Sequence, residues 1–218
     1  MVGEGYELGC DLIYHITHVR NLPSIVQQGG LYCDEERLRR KLRCVGIAHN
    51  HIKERRARRA VTKANGGTLA DYVPFYFAPR SPMLYSIGGG FVEGYTDGED
   101  PILHLVTSAE IVRAAELQFT FTDGHAELAV SDFFDNLAEL ATKVDWQVMR
   151  SRYWYDTPEQ PDRKRKRQAE FLVHRFAPWT LIQDIGVKSP AMKTEIEDML
   201  RTSTYRPTVT VKRNWYYR

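Results

Sequence analysis

Short apolar segments alternate with segments rich in glycine, proline and charge along the whole chain. Apolar side chains at every second position, or a short apolar run between turn residues, predict a β-strand. Seven segments meet this description: residues 11–17, 72–77, 102–106, 119–122, 171–173, 182–187 and 208–212. In the first of them, Ile13, His15 and Thr17 share one face.

Between these strands, apolar residues spaced three or four apart predict helices. Ser81 and Ser189 each precede a proline, a combination that is typical of a capped helix start, and Asn21 is a third candidate cap. The predicted helices cover residues 22–28, parts of 34–60 with a break near Gly46, the segment after Ser81, and residues 108–115, 131–152 and 190–200. Segments 88–100 and 156–167 are predicted loops. Because helices and strands follow one another irregularly, the pattern favours an α+β fold over regular βαβ winding.

The composition is that of one globular domain over residues 1–218. With 43% hydrophobic and 27% charged residues, the chain can form one sizeable core. No apolar run of about 18 residues occurs, and the N-terminus lacks a basic region followed by an apolar one. We therefore expect no membrane span, no signal peptide and a cytoplasmic location. Cys10, Cys33 and Cys44 form no Cys-x-x-Cys pair, which argues against a disulfide framework or a zinc knuckle.

The net charge of +2 hides two basic segments. Residues 37–59 carry ten basic side chains against the single acid Glu54, and residues 163–167 are all basic. One such run is typical of a solvated helix surface. Two runs on an otherwise acidic chain indicate a surface for a polyanion, and nucleic acid above all.

Candidate chemistry begins in the segment YFAPRSPMLY, residues 76–85, where an aromatic strand leads into a capped helix. Tyr85 follows Ser81 by about one helical turn, so its ring can cover a flat heterocycle while the Ser81 hydroxyl meets a carboxamide. Taken alone, the same segment is more simply a buried strand before an ordinary helix.

Two further sets of polar residues belong to predicted strands. His15 and Thr17 share one face of the first strand, where both can hold a ribose or a carboxamide, although a lone strand histidine is more often a buried structural group. Glu170 begins an apolar strand directly after the second basic segment. Such a carboxylate is either a solvated strand end or a group that the strand places in a cleft.

In this order the residues resemble the His–Tyr–Glu series of ADP-ribosyltransferases of the poly-ADP-ribose polymerase type. The match is closer to the DarT toxins, which attach ADP-ribose to bases of single-stranded DNA, and it extends from about residue 14 to 217. The segments that carry it are YHITHVRNLPSIVQQGGL, IKERR, DYVPFYFAPRSPMLY, PILHLV, FTDGH and AEFLV. The resemblance implies the ADP-ribosyltransferase fold, a central split mixed β-sheet with flanking helices.

The resemblance also implies roles for particular residues. The catalytic residues it implies are Glu170, Arg56 and His125. The NAD-binding residues it implies are His15, Thr17, Tyr76, Ser81 and Tyr85. The DNA-binding residues it implies are Lys53, Arg55, Arg163, Lys164, Arg165, Lys166 and Arg167. NAD is then a co-substrate without a metal, and the expected partners are single-stranded DNA and an antitoxin whose macrodomain removes ADP-ribose.

The expected chemistry fits these side chains. Cleavage of the nicotinamide–ribose bond builds positive charge on the ribose, which a carboxylate such as Glu170 stabilises. The acceptor base must lose a proton, and Arg56 is too basic to be an ordinary base. The family resemblance gives Arg56 a part in proton transfer, while orientation and charge stabilisation of the base fit its chemistry equally well.

Two other functions are compatible with the same residues. The basic and aromatic segments, including Tyr153, Trp154 and Tyr155, also suit a non-enzymatic module for single-stranded nucleic acid. An RNA 2′-phosphotransferase-like or protein-modifying enzyme can use the same NAD scaffold, because fold does not fix substrate. The pair His49 and His51 has no carboxylate or thiolate at ligand spacing and is predicted to lie on a helix surface. The choice of thymine over guanine rests on the resemblance.

Overall fold

The fold is organised around one large mixed β-sheet. A computed structural model describes residues 11–218. Its strands are β1 (Leu12–His18), β2 (Gly30–Tyr32), β3 (Tyr72–Tyr76), β4 (Ile102–Ser108), β5 (Phe119–His125), β6 (Phe133–Phe134), β7 (Ala169–His174), β8 (Phe176–Pro178), β9 (Asp184–Val187) and β10 (Thr208–Val211). Eight strands form the sheet in the order β10-β9-β4-β1-β3-β7-β5-β6, and β2 pairs with β8 separately. Only β9 and β10 are parallel neighbours among these described strands.

Short helices surround the sheet. They are α1 (Leu22–Gln27), α2 (Asp34–Arg39), α3 (Asn50–Arg56), α4 (Pro82–Gly88), α5 (Ala109–Ala114), α6 (Leu140–Lys143), α7 (Trp146–Arg150), α8 (Arg163–Arg167) and α9 (Pro190–Met199). In the described part of the chain, no helix has both the length and the apolar surface needed to cross a membrane. The predicted α+β class and the seven predicted strands are confirmed. The strands β2, β6 and β8, each two or three residues long, were not predicted.

The sheet is split between β1 and β3. β1 pairs with β4 along its whole length, and β3 pairs with β7 in the same way. Between β1 and β3, however, the only register pair in the described strands is Tyr14 with Tyr76. Pro74 lies in β3 and has no N–H to give to a neighbouring strand. Its carbonyl instead accepts a hydrogen bond from His15 Nδ1 at 2.8 Å. The predicted split in the sheet is therefore present, and a side chain bridges it.

The core lies against the two central pairs of strands. All seven residues of β4 are buried, and β4 has neighbouring strands on both sides, β1 and β9. On the other half of the sheet, Phe171 of β7 is fully buried and stacks on Phe119 of β5 with ring centroids 4.9 Å apart. These aromatic contacts hold β7 rigidly, and β7 is the strand that carries Glu170.

The long helix predicted over residues 131–152 is wrong. The segment instead forms β6, α6 and α7. Its helical spacing of apolar residues is real, but polar residues interrupt it: Asn136 accepts a hydrogen bond from the Ala138 N–H and Asp145 from the Val148 N–H. Such side-chain caps start new helices, so the apolar residues are buried from several short elements rather than from one.

The predicted loop over residues 156–167 ends in a helix, α8, and its last residue is buried. Arg167 Nη1 donates to the carbonyls of Val148 (2.7 Å), Met149 (2.7 Å) and Ser151 (2.9 Å). Its Nε and Nη2 donate to the carbonyl of Arg80 at 3.3 and 3.1 Å. With 1% of its surface exposed, Arg167 ties these segments together, and its predicted contact with DNA is wrong.

Of the three cysteines, Cys33 is buried and Cys44 is exposed, and both are free thiols. Cys10 lies outside the described residues.

A buried histidine joins β4 to the turn before α4. His104 is fully buried, and its Nε2 donates to the Pro79 carbonyl at 3.0 Å. The ring also lies against Tyr216, with centroids 5.0 Å apart. Burial disfavours the imidazolium and lowers the pKa of His104 from 6.5 to about 4.

This pKa predicts acid sensitivity of the fold. His104 stays neutral in the folded chain, whereas the unfolded chain takes up the proton as the pH falls through 6.5, so stability is highest above this range and falls as the pH approaches 4. From pH 7.5 to pH 5, His104 should account for a loss of about 2 kcal/mol in the free energy of unfolding. Urea titrations should show that His104→Gln loses that much less over the same interval. An equal pH dependence in both proteins contradicts the assignment.

Candidate active site

The split side of the sheet opens into a cavity of about 650 Å³. This size suits a nucleotide-sized ligand. Nine of the residues implicated by the sequence line it: His15, Thr17, Lys53, Arg56, Tyr76, Tyr85, His125, Lys164 and Glu170. They come from β1, β3, β5, β7, α3, α4 and α8, so the fold brings together residues that are distant in the chain.

At the centre of these residues, Glu170 and Arg56 form a buried ion pair. Arg56 Nη1 donates to both carboxylate oxygens of Glu170, at 2.8 and 3.1 Å. Only 13% of the Arg56 side chain and 3% of the Glu170 side chain are exposed. Glu170 is held on both sides: it is the register partner of Tyr76 in β3, and its N–H donates to Thr122 Oγ1 at 3.0 Å. Because directly opposed residues share a face of the sheet, Tyr76 and Glu170 lie on the same face.

The environment keeps Arg56 charged. Burial works against the guanidinium, but the charge of Glu170 and the hydrogen bonds to it outweigh this effect, so the pKa of Arg56 is raised above its usual value. Its Nη2 is buried and has no hydrogen-bond partner among residues 11–218. A buried donor without an acceptor costs free energy. An acceptor atom of a bound molecule can therefore form a favourable hydrogen bond with this nitrogen.

His125 lies next to this pair. It is the last residue of β5 and the register partner of Ala169, the neighbour of Glu170, after a register shift between Phe121 and His125. Such irregularities redirect side chains at functional sites. Burial lowers the pKa of His125, and the nearby Glu170 charge opposes this only in part. The imidazole beside the ion pair is therefore neutral at pH 7.

His15 and Thr17 lie in the wall formed by β1. The bond from His15 Nδ1 to a carbonyl fixes the proton on Nδ1 and leaves Nε2 as an acceptor. Thr17 Oγ1 accepts from Asn21 Nδ2 at 3.1 Å. Asn21 also exchanges two hydrogen bonds with the backbone of Val45, at 3.1 and 2.7 Å, and makes no cap hydrogen bond to α1. The predicted cap is wrong, because Asn21 joins β1 to the loop that follows α2.

The turn before α4 is capped as predicted, since Ser81 Oγ accepts from the Leu84 N–H at 3.1 Å. The predicted contact of Ser81 with a ligand is not supported, because Ser81 is buried and lies outside the cavity wall. Tyr85 does line the cavity and is 43% exposed, with its ring beside those of Trp154 and Tyr217. Trp154 is also a wall residue. The spacing of apolar residues in the sequence does not indicate this position for Trp154, because Trp154 belongs to an irregular loop.

Most of the basic residues predicted to bind DNA are engaged within the protein. Arg55 pairs with Glu127, Arg165 with Asp123 and Asp162, and Lys166 with Asp145. Arg163 donates to Gln160 and to the Tyr153 carbonyl. The exceptions are Lys53 and Lys164, which line the cavity and have no carboxylate within ion-pairing distance in residues 11–218.

His49 and His51 also line the cavity, with ring centroids 5.1 Å apart, rather than lying only on a helix surface. Over the described range, no group of three or more histidine, cysteine, aspartate or glutamate side chains is arranged to hold a metal ion.

Comparison with known proteins places this site in a family. The family model described as "DarT: ssDNA thymidine ADP-ribosyltransferase" matches residues 14–217. The chain belongs to the DarT family. A DNA ADP-ribosyl transferase of Thermus sp. (strain 2.9) is 45% identical over 207 residues, which cover 94% of this chain and 95% of that protein.

Solved DarT structures have the same fold. The Thermus sp. 2.9 DarT in complex with ADP-ribosylated single-stranded DNA matches with a TM-score of 0.89 at 43% identity, covering 100% of both chains. The same DarT in complex with NAD⁺ matches with a TM-score of 0.85 at 41% identity, covering 98% of this chain and 100% of that one. A more distant DarT relative, from Thermosipho africanus, is a fusion of a DNA ADP-ribosyl transferase with a DNA ADP-ribosyl glycohydrolase. It is 29% identical over 161 residues, 74% of this chain and 38% of the fusion.

The distribution of ion pairs predicts which basic residues bind DNA. Lys53→Gln with Lys164→Gln should weaken binding of single-stranded DNA and reduce the slope of log affinity against log salt by about 0.7 for each lost phosphate contact. Fluorescence anisotropy at several salt concentrations measures this slope.

The matched control has the same change in charge away from the cavity. Arg113 pairs with Glu110 and Lys193 with Glu197, both on exposed helix surfaces. Arg113→Gln with Lys193→Gln should leave the slope unchanged. Equal slopes in the two double variants contradict the proposed location of the DNA.

Proposed function

We propose that Glu170 and Arg56 carry out, in this cavity, the transfer of ADP-ribose from NAD⁺ to a thymine of single-stranded DNA. The observation that carries the proposal is the buried ion pair on the cavity wall, next to a neutral histidine. Membership of the DarT family and the DarT complexes with NAD⁺ and with ADP-ribosylated DNA support this reaction.

Glu170 stabilises the ribose as its bond to nicotinamide breaks. The electron pair of that bond leaves with nicotinamide, and positive charge develops on the ribose. A buried carboxylate held by β3 and β7 opposes this charge without having to reorganise. The same carboxylate can accept a hydrogen bond from a ribose hydroxyl.

Arg56 acts on the acceptor base as a cation. The base loses a proton as its ring nitrogen bonds to the ribose carbon, so the reaction releases nicotinamide and one proton. The raised pKa of Arg56 works against its taking up that proton. Its buried Nη2 can instead donate to a base oxygen and stabilise the negative charge that develops there. Of the two roles considered for Arg56, these observations favour charge stabilisation.

Other wall residues bind and orient the substrates. His15 Nε2 accepts from a nucleotide hydroxyl, Thr17 and Tyr76 contact the same nucleotide, and Tyr85 covers the nicotinamide ring. His125 is a neutral hydrogen-bonding group between the NAD⁺ and the base. Lys53 and Lys164 bind phosphates at the cavity mouth.

The activity also bears on the cellular location and on the partner of the protein. An enzyme that modifies DNA bases damages the genome of its own cell, so we infer a cytoplasmic toxin paired with an antitoxin. The Thermosipho africanus fusion joins a relative of this chain to an enzyme named as a DNA ADP-ribosyl glycohydrolase, which supports a partner macrodomain that removes ADP-ribose.

Release of nicotinamide tests the reaction. NAD⁺ should be consumed rapidly only when single-stranded oligonucleotides containing thymine are present, and mass spectrometry should find one ADP-ribose on thymine. A protein that binds these oligonucleotides but releases no nicotinamide is a binding module, and modification of RNA or protein alone means that the acceptor is wrong.

Because Glu170 and Arg56 have different roles, their substitution should affect DNA modification and NAD⁺ hydrolysis differently. Glu170→Gln removes the negative charge but keeps the shape, so both DNA modification and NAD⁺ hydrolysis should fall by about a hundredfold or more. Arg56→Lys keeps the positive charge but loses the two-pronged geometry, so DNA modification should fall at least about tenfold more than NAD⁺ hydrolysis.

Binding of NAD⁺ to both variants, measured by calorimetry, is the control for a folded site. Modification of DNA by Glu170→Gln near the rate of the unchanged enzyme contradicts the role of Glu170. Equal loss of both reactions in Arg56→Lys contradicts the assignment of Arg56 to the base.

A further inference from the structure

Two side chains from distant parts of the chain meet at the carbonyl oxygen of Arg80. One is the buried Arg167, which donates to it from Nε and Nη2. The other is Tyr217, whose hydroxyl donates at 2.8 Å. Arg80 immediately precedes Ser81, the cap of the helix that carries Tyr85. The position of the Tyr85 wall is therefore tied to both partners.

Tyr217 also holds the loop between α7 and α8, residues 151–162. Trp154 Nε1 donates to the Tyr217 hydroxyl oxygen at 2.7 Å. This hydroxyl thus accepts from Trp154 and donates to the Arg80 carbonyl, and its proton also faces the Ser81 carbonyl at 3.3 Å. The rings of Trp154 and Tyr217 both lie edge-on to Tyr85, at 5.7 and 5.3 Å.

The backbone around Tyr217 is itself fixed by a buried carboxylate. Glu99 is 3% exposed, and its two oxygens accept from the N–H groups of Tyr217 (3.0 Å) and Arg218 (2.5 Å). Lys188 pairs with the same carboxylate at 3.2 Å. Tyr217 is therefore a rigid support for the loop and not a frayed end.

The loop presents two exposed aromatic rings on either side of Trp154. Tyr153 is 61% and Tyr155 is 60% exposed, whereas Trp154 lies half-buried between them. Arg167 holds the start of the loop through the Ser151 carbonyl. With its start fixed by Arg167 and its middle fixed by Trp154, the loop has one orientation relative to the cavity.

We propose that Tyr217 is a positioning residue for the DNA acceptor: its hydroxyl fixes Trp154 and so orders the loop that receives single-stranded DNA. This rests on the proposed function only in that the acceptor is DNA. Without the hydroxyl, the middle of the loop is held less firmly and the bound DNA has to supply the missing order, so the loss appears in DNA binding. NAD⁺ binding and cleavage change little, because Tyr217 is not a wall residue. Arg167 still donates two hydrogen bonds to the Arg80 carbonyl, so the helix that carries Tyr85 keeps its position.

The test is Tyr217→Phe, which removes the hydroxyl and keeps the ring. The KM for single-stranded DNA should rise three- to tenfold, with the KM for NAD⁺ and the rate of DNA-independent NAD⁺ hydrolysis within twofold of the unchanged enzyme. Tyr205→Phe is the matched control, since the Tyr205 hydroxyl also donates to a backbone carbonyl, that of Ile182 at 2.8 Å, but away from the cavity. It should leave all three quantities unchanged.

A second variant separates positioning from general loss of stability. Trp154→Phe removes the donor of the same hydrogen bond, so the double variant with Tyr217→Phe should raise the KM for DNA no more than the larger single effect. If the increases in KM of the two single variants multiply in the double variant, Trp154 and Tyr217 act independently and the proposal is wrong. An equal KM for DNA in Tyr217→Phe and Tyr205→Phe also contradicts it. If the unchanged enzyme itself fails to modify DNA, the proposed function fails instead, which distinguishes the two.

Discussion

The buried ion pair between Arg56 and Glu170 is the constraint around which the site is organised. Burying two charges costs several kcal/mol per ion, and apolar replacements of such pairs are often as stable or more stable. The pair is therefore a poor device for stability alone. It does, however, join α3 to β7. Neighbouring basic residues add contacts to the turn after β5: Arg55 pairs with Glu127, and Arg59 donates to the carbonyls of Ala126 and Leu128. The wall of the cavity thus depends on charges that the chemistry also needs.

Pairing of charges inside the protein also explains why only part of the basic segments is available to bind DNA. A run of arginines in a sequence is equally compatible with solvent, with nucleic acid and with internal pairing. Here α8 places its basic side chains in three different environments within one short helix. Lys164 is exposed at the cavity, Arg165 is paired with two aspartates, and Arg167 is buried among carbonyls. An arginine can be buried without a carboxylate because its five N–H donors can each meet a carbonyl oxygen.

How much could be predicted from the sequence depended on the range of the interactions. The strands and the Ser81 cap follow from local patterns, and both are present in the structure. The grouping of His15, Tyr76 and Glu170 was implied by the family resemblance instead, and all three line the cavity. The long helix over residues 131–152 failed because Asn136 and Asp145 cap new elements inside a helical pattern. The contacts of Asn21, Trp154 and Tyr217 were not predicted for a different reason: these partners lie 24 to 137 residues away, and no spacing in the sequence marks such contacts.

The split in the sheet connects the fold to the site. Two strands that separate leave backbone groups without ladder partners, and such groups are costly to bury. In this protein Pro74 of β3 has no N–H that could be left without a partner. Its carbonyl accepts the Nδ1 proton of His15. Burial lowers the pKa of His15, so this ring stays neutral and keeps an acceptor at Nε2. The hydrogen bond that makes the split tolerable therefore also prepares the ring to accept from a hydroxyl of a bound nucleotide. Substituting His15 with a side chain that cannot donate would leave a buried carbonyl unsatisfied as well as remove the acceptor, because both functions belong to one ring.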